Sequence, residues 1–440
     1  MSVMVATKTE KATGISTRIL SELFDEQVLR RVHVRLWDGT YWPDEAARPV
    51  TLVLKHAGAL RAMFLPGTEI GLGEAYIYDD FDIEGDIEQV FSLVDALSAH
   101  AASLTTRIRL ARELLQLPER NGNGFHSTQR GPAKLIGKPH SIPRDRQAVT
   151  YHYNVSNDFY TLWLDQRMVY SCAYFRTAED DLNTAQQQKL EHICRKLRLR
   201  PGQRILDIGC GWGGLIMYAA QHYGVDATGI TLSQPQADLA NQRICAADLS
   251  DRCRVRVSDY RELNEPGGYD ALVSVGMFEH VGAAMLPEYF SRAFQLLRGG
   301  GVFLNHGIAL GREEQAGSVE TSFSQAYVFP DSELIPIHAT LQAAASSNFE
   351  VRDVESLREH YALTLRHWVK RLEAQHTRAL TYVDEPTFRT WRLFMSASAF
   401  GFGEGRLNVY QTLLAKPNAG GTSGLPLTRE DWYRPRFGLK

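Results

Sequence analysis

The chain of 440 residues predicts an α/β fold, a doubly wound Rossmann-like sheet preceded by a smaller N-terminal α+β unit. Two observations carry that prediction. From about Ala148 onward, short apolar runs alternate with helical patterns, as in a sheet crossed by helices. Within that region Arg204–Gly214, RILDIGCGWGG, sets an apolar strand against a glycine-rich turn that opens a helix. A hydrophobic content of 44% and a charged fraction of 22% fit a soluble globular chain of two or three domains.

In chain order, MSVMVATKTEKATG has too little apolar sequence for a secretory signal and reads as a frayed arm. Residues from about 15 to 116 hold a helical opening, strand-like runs at Arg31–Leu36 and Val50–Leu54, and an acidic stretch around Tyr78–Asp86. Ser103–Leu117 predicts an amphipathic helix, with Leu104, Ile108, Leu114 and Leu115 on one face. No catalytic cluster falls here, so residues 1–116 are expected to be an accessory domain. From Pro118 to about Arg146 the composition turns to Gly, Pro, Asn and basic residues, and 117–147 is expected to be a linker before a catalytic domain at 148–440. Arg130, Lys134, Lys138, Arg144 and Arg146 against Asp145 leave a local excess of four positive charges. That excess fits a solvated linker, or a surface for anionic lipid headgroups at about 1 kcal/mol per cation.

Strands are expected at Arg204–Ile208, Val225–Ile230, Arg254–Val257, Tyr269–Val275, Gly301–Ile308, Phe349–Val354 and Leu407–Leu414. Helices are expected from the stripe Leu190, Ile193, Cys194 and Leu197, from Trp212–Tyr223, and from Pro287–Leu297 before an LRGGG turn. Ligands in such sheets bind beyond the carboxyl ends of the strands, so Gly209, Thr231, Asp259, Glu279 and His306 should converge on one face. The span Gly311–Ser347 and helices from Glu355 to Phe402 are expected to cover it.

A formal charge of -3 gives no global case for nucleic acid. No stretch approaches the roughly 18 uninterrupted apolar residues of a membrane span, so any membrane contact is expected to be peripheral. Five cysteines without a CxxC pair suggest a reducing compartment, and a cytoplasmic location is the expectation.

Gly209, Gly211 and Gly214 satisfy the GxGxxG pattern of dinucleotide sites, which alone does not separate NAD from S-adenosyl-L-methionine. A dinucleotide site places a carboxylate at the end of the second strand, about 20 residues on. Here that strand ends in Thr231, Leu232 and Ser233. Asp207 instead stands just before the glycines, where an acid can meet a cationic methionine end, so S-adenosyl-L-methionine is the expected ligand. A plain strand-to-helix turn would not require so many glycines.

Three further segments complete the pattern: YHYNVSNDFYTLWLDQRMVYSCAYF (Tyr151–Phe175), MFEHVG (Met277–Gly282) and NHGI (Asn305–Ile308). With LDIGCGWGG and TLSQPQ they resemble the cyclopropane-fatty-acid-phospholipid synthases and the related mycolic acid cyclopropane synthases, from about residue 148 to 415. The resemblance implies a class I methyltransferase sheet with a helical lid. The N-terminal unit and linker look like the extra domain of the phospholipid-acting branch. By the family pattern Tyr170 and Ser171 contact the methionine portion of the cofactor, and Gly209 and Gly211 lie under it. Thr231, Leu232 and Gln236 hold the adenosine side, with Asp259 and Tyr260 near the adenine. The family also holds a bicarbonate ion, and its ligands match here as Cys172, Glu279, His306, the backbone of Ile308, and Tyr361. The implied partner is an unsaturated phospholipid acyl chain, met at the inner face of an anionic membrane. A homodimer is compatible with this.

Chemistry explains such an ion. An alkene is a weak nucleophile and must attack the sulfonium methyl in a dry, aligned pocket, leaving a carbocation on the chain. A proton then leaves the transferred methyl so that the ring closes, and a small enclosed base can take it where a fixed carboxylate would risk alkylation. Aromatic faces stabilise the cation without reacting, and Tyr174, Phe175, Phe278, Tyr361, Trp368 and Phe400 are candidates. Taken singly, Cys172 also reads as an inert buried thiol, Glu279 as a helix-start acid, and His306 as a core histidine. His280 is expected to point away from Glu279. A metal on Cys172, Glu279 and His306 matches no common zinc spacing, and none is expected. FGFGEGRL (Phe400–Leu407) is richer in glycine than the family's basic stretch, and Ser396 and Ser398 lie where small or cysteine residues are common, which bears on the acyl substrate. The rivals are a relative that leaves a methylene or methyl-branched chain, and a noncatalytic lipid-binding protein.

Overall fold

The computed structural model describes residues 2–100, 104–119, 130–153, 155–311 and 321–433. The chain divides into two compact units that do not follow it in one piece. The first takes Met1–Pro132, Glu320–Val328 and Val383–Phe400, and the second takes Ala133–Val319, Phe329–Tyr382 and Gly401–Lys440. Among the described residues no helix is long and apolar enough to cross a membrane.

In the first unit, β1 (Val32–Arg35), β2 (Tyr41–Trp42), β3 (Val50–Leu54) and β4 (Phe81–Gly85) form a sheet in the order β2-β1-β3-β4. β1 runs parallel to β3, and β3 antiparallel to β4. Arg389, 6% exposed, binds this sheet to the late segment: its guanidinium donates to the Tyr76 carbonyl at 3.0 Å and pairs with Asp82 at 3.1 Å. The helix expected at Ser103–Leu117 spans Leu104–Leu114, Ser103 lying outside the described residues. Its buried face is Leu110 and Leu114, whereas Leu104, Ile108 and Leu115 are 72%, 46% and 55% exposed. The expected face is therefore right at Leu114 and wrong at Leu104, Ile108 and Leu115, because this sequence is apolar on more than one side.

In the second unit, β5 (Arg204–Ile208), β6 (Asp226–Thr231), β7 (Cys253–Val257), β8 (Tyr269–Val275), β9 (Leu297–Leu310), β10 (Glu350–Ser356) and β11 (Leu407–Ala415) form one sheet. Its order is β10-β11-β9-β8-β5-β6-β7. β9, β8, β5, β6 and β7 run parallel, and β11 lies antiparallel between β9 and β10. The chain leaves β5 toward β6 on one side and returns to β8 on the other, which opens a crevice at the carboxyl end of β5.

Side-chain alternation along β5 splits the core. Ile205 packs with Ile193, Ile216 and Val273 on one face, and Leu206 and Ile208 with Tyr289, Phe290 and Phe303 on the other. β9 starts at Leu297, four residues before the expected Gly301, so the LRGGG segment is strand with a register shift against β8. A Cβ on Gly301 would lie 2.8 Å from the Asp270 carbonyl oxygen, so only glycine admits that close approach. The helix after β5 begins at Gly214, later than Trp212, because Gly213 caps it at a φ of 78°.

Candidate active site

One cavity opens beyond the carboxyl ends of β5 and β6, and all ten residues expected to hold the cofactor line it: Tyr170, Ser171, Asp207, Gly209, Gly211, Thr231, Leu232, Gln236, Asp259 and Tyr260. The turn is built from left-handed glycines, with φ of 84° at Gly209 and 54° at Gly211. A Cβ on Gly209 would strike the Met277 Cβ at 2.7 Å, whereas one on Gly211 would meet nothing within 4 Å and enter the cavity. Thr231 Oγ1 donates to Gln236 Oε1 at 2.7 Å, fixing the floor after β6. Asp259 lines the cavity with its carboxylate already gripped by Arg261, at 2.7 Å to each oxygen.

Asp207, 3% exposed, has no hydrogen-bond partner for Oδ1 among the described residues. Burial pushes its carboxyl up to about 7, against the pull of Lys189. Lys189 is 1% exposed, lines the same cavity, and donates from Nζ to Ser171 Oγ at 2.8 Å. These features fit a ligand with a zwitterionic, cationic end: an orphaned acid, and a glycine at which any side chain would occupy ligand space.

The five residues expected to hold the ion are not among those lining this cavity. Glu279 Oε1 accepts the Ile308 N–H at 2.6 Å, so the Ile308 amide is committed to Glu279. Glu279 Oε2 is buried and unpartnered among the described residues, and burial pushes the carboxyl up to about 7. Gln411 Nε2 stands 3.2 Å from His306 Nδ1, and His306 Nε2 is buried with no partner among the described residues. With the Gln411 amide donating, Nδ1 accepts and Nε2 carries the proton; burial and then Lys189 keep the ring neutral. Cys172 Sγ donates to the Ala173 carbonyl at 3.2 Å, and burial pushes its thiol well up. Tyr361 is partly buried, and burial followed by the nearby Cys172 and Glu279 pushes its phenol up. Tyr153 lines the cofactor cavity, and burial followed by the charge of Glu279 pushes its phenol up.

Residues 140–412 match the family model described as mycolic acid cyclopropane synthetase. The chain belongs to that family. It is 41% identical over 407 residues to a probable fatty acid methyltransferase of Pseudomonas putida, covering 92% of this chain and 96% of the relative. It is 35% identical over 278 residues to the cyclopropane-fatty-acyl-phospholipid synthase of Escherichia coli K12, covering 63% of this chain and 69% of the relative. Among solved structures, the mycolic acid cyclopropane synthase CmaA1 complexed with SAH and CTAB matches at 33% identity and a TM-score of 0.58, covering 63% of this chain and 99% of that one. This member of the cyclopropane synthetase family is an S-adenosylmethionine-dependent methyltransferase.

The family's aromatic candidates separate in space. Tyr361 meets Trp368 edge-on at 6.1 Å and Phe402 at 4.7 Å, and Trp368 meets Tyr170 at 5.2 Å, so a chain of rings runs from Tyr361 to the cofactor cavity. Phe278 instead packs into the core with Tyr289 at 5.7 Å, and Tyr174 and Phe175 stack on His360 and His367. Phe400 belongs to the first unit, beside Phe91 at 5.9 Å. These contacts fit the packing role that single aromatic residues usually have. His280 lines the cofactor cavity while Glu279 turns to Ile308. Sequence reading missed Lys189, Tyr153 and Phe402. For Lys189 a signal existed: it sits beside Leu190 on the buried stripe of the helix Leu182–Lys196.

Proposed function

We propose that this chain is a cyclopropane-fatty-acyl-phospholipid synthase, adding a methylene to the cis double bond of unsaturated phospholipid acyl chains with a bound bicarbonate as base. The observation that carries the reading is that two buried polar atoms outside the cofactor cavity, Glu279 Oε2 and His306 Nε2, have no partner among the described residues. Orphaned polar atoms in a dry site cost about 1–3 kcal/mol each, which a small polar ion would recover.

Tyr170, Ser171, Asp207 and the glycine turn would hold S-adenosylmethionine, which supplies an electrophilic sulfonium methyl when bound. Glu279, His306, Cys172 and Tyr361 would hold bicarbonate, which supplies a base too small and too enclosed to be alkylated. Tyr170, Trp368 and Tyr361 present aromatic faces that stabilise positive charge on the acyl chain without reacting. The Ile308 amide fixes the Glu279 carboxyl, and Gln411 fixes the His306 tautomer. Burial excludes water from a cation that water would quench.

The Pseudomonas putida relative bears the name probable fatty acid methyltransferase across 92% of this chain, which favours a second reading with a methylene or methyl-branched product. Mass analysis of lipids from cells expressing the protein distinguishes them. A gain of one CH2 that resists hydrogenation supports the ring; a gain of one CH2 that then takes up hydrogen supports the methylene or methyl-branched product, in which loss of a different proton has left a double bond. No gain refutes both.

A further inference from the structure

The second unit buries a lysine that the reaction chemistry leaves unused. Lys189 is 1% exposed and lines the cofactor cavity beside Asp207. Among the described residues no carboxylate forms an ion pair with it, and its hydrogen bond goes to the Ser171 hydroxyl at 2.8 Å. A hydroxyl both donates and accepts, so this contact serves an ammonium and a neutral amine alike. The titratable groups facing Lys189 are Asp165 and Cys172 from the connection before its own helix, Asp207 from β5 and His306 from β9, and of these Asp165 and Asp207 favour the ammonium without outweighing burial. Burial holds the Cys172 thiol and the His306 ring neutral, so neither offsets a charge at Nζ.

S-adenosylmethionine carries one net positive charge, and S-adenosylhomocysteine, lacking the sulfonium, carries none. Two like charges in a dry cavity are strongly unfavourable, and a lysine yields its proton more readily than an arginine. Resting on the S-adenosylmethionine reading above, we infer that Lys189 is a charge gate for cofactor exchange: it releases its proton to solvent when the sulfonium cofactor enters and takes one up once methyl transfer has left the sulfur neutral. Burial already lowers the amine to about 8 before any cation arrives, so little further perturbation is required. The gate makes the site prefer spent cofactor at low pH and fresh cofactor at high pH. Through Ser171 the same residue positions the wall at the methionine end.

Calorimetric titration of the full chain with S-adenosylmethionine and with S-adenosylhomocysteine, from pH 6.5 to 9 in buffers of different ionisation enthalpy, tests this. S-adenosylmethionine affinity should rise by up to about tenfold per pH unit below the amine's titration, with proton release, while S-adenosylhomocysteine affinity stays flat. Lys189→Met should bring the two profiles together. Lys189→Arg, which cannot lose its charge, should bind S-adenosylhomocysteine and lose S-adenosylmethionine selectively. Parallel profiles in the parent overturn the gate. A pH difference that persists in Lys189→Met also overturns it and transfers the role to Asp207 or Glu279. If Lys189→Met binds neither molecule, the parent profiles and proton counts decide. Binding of neither by the parent refutes the cofactor reading instead.

Discussion

At the scale of single residues, the glycine turn and the buried Glu279 make different demands. Gly211 holds a left-handed φ of 54° facing open space, so a branched side chain there is both strained and in the ligand's path. Gly211→Val should lower S-adenosylmethionine affinity by more than about tenfold, or 1.4 kcal/mol, with an unchanged circular dichroism spectrum. Calorimetry finding parental affinity in the folded variant would remove the turn from the site. Glu279→Gln should slow turnover by about 100-fold, the lower range for acid–base machinery, while S-adenosylmethionine still binds. Parental turnover in carbonate-depleted buffer would return Glu279 to a merely structural acid. Its raised pKa also gives a stability signature. The native state holds a proton on Glu279 that the unfolded chain has released, between the ordinary carboxylate range and about 7. The parent therefore loses stability as pH rises through that window, and the Gln variant escapes this part of the loss. Melting curves should show Glu279→Gln gaining on the parent from pH 5 to pH 8; Asp207, unchanged in both, contributes its own loss equally.

At the scale of elements, the parallel strands were readable because buried runs such as Arg204–Ile208 and Tyr269–Val275 are apolar and end at glycine or polar residues. Strand ends and a glycine turn point to Asp207, Gly209, Gly211 and Thr231 by topology, whereas Tyr170, Ser171, Asp259 and Tyr260 came with the family resemblance; all of them line one cavity. The LRGGG segment misled because glycine is ambiguous between a turn and a close strand approach, and only the neighbouring Asp270 carbonyl decides it. The helix Leu104–Leu114 misled because its periodicity supports two apolar faces. Lys189 was hidden because a cation is assumed to be solvated, and burial is a property of the fold. Arg389 illustrates the same limit, since its partners Asp82 and the Tyr76 carbonyl lie some three hundred positions away in the chain. Arg389→Ala should strip charge-assisted bonds from this buried guanidinium and destabilise the protein by about 2 kcal/mol, read as a lowered denaturant midpoint. A change below about 0.5 kcal/mol would place Arg389 with ordinary surface residues.

At the scale of the whole molecule, the basic excess before the catalytic region is smaller than its sequence implies. Arg144 is bound to Asp331 at 2.5 Å, Arg146 approaches Glu262 at 3.3 Å, and Arg130 donates to the Tyr327 carbonyl at 2.8 Å. Lys134 and Lys138 are exposed, and they are the cations available for a lipid surface. Lys134→Gln with Lys138→Gln should weaken sedimentation with anionic vesicles, and added salt should weaken the parent likewise. Arg144→Gln should act mainly on stability. Equal sedimentation of parent and double variant would dismiss this stretch as a membrane contact.

The first unit is assembled from three separated stretches, the last ending at Phe400. During synthesis its early strands therefore leave the ribosome long before the segment carrying Arg389 exists. At roughly 5–20 residues per second that delay lasts many seconds, and strands β5 to β10 of the second sheet are produced within it, with β11 following after Phe400. Birth order thus runs against a simple N-terminal-first sequence, with the first unit started first and finished late. A fragment ending at Pro132 would be a perpetual nascent chain, and circular dichroism of that fragment should show an incomplete fold.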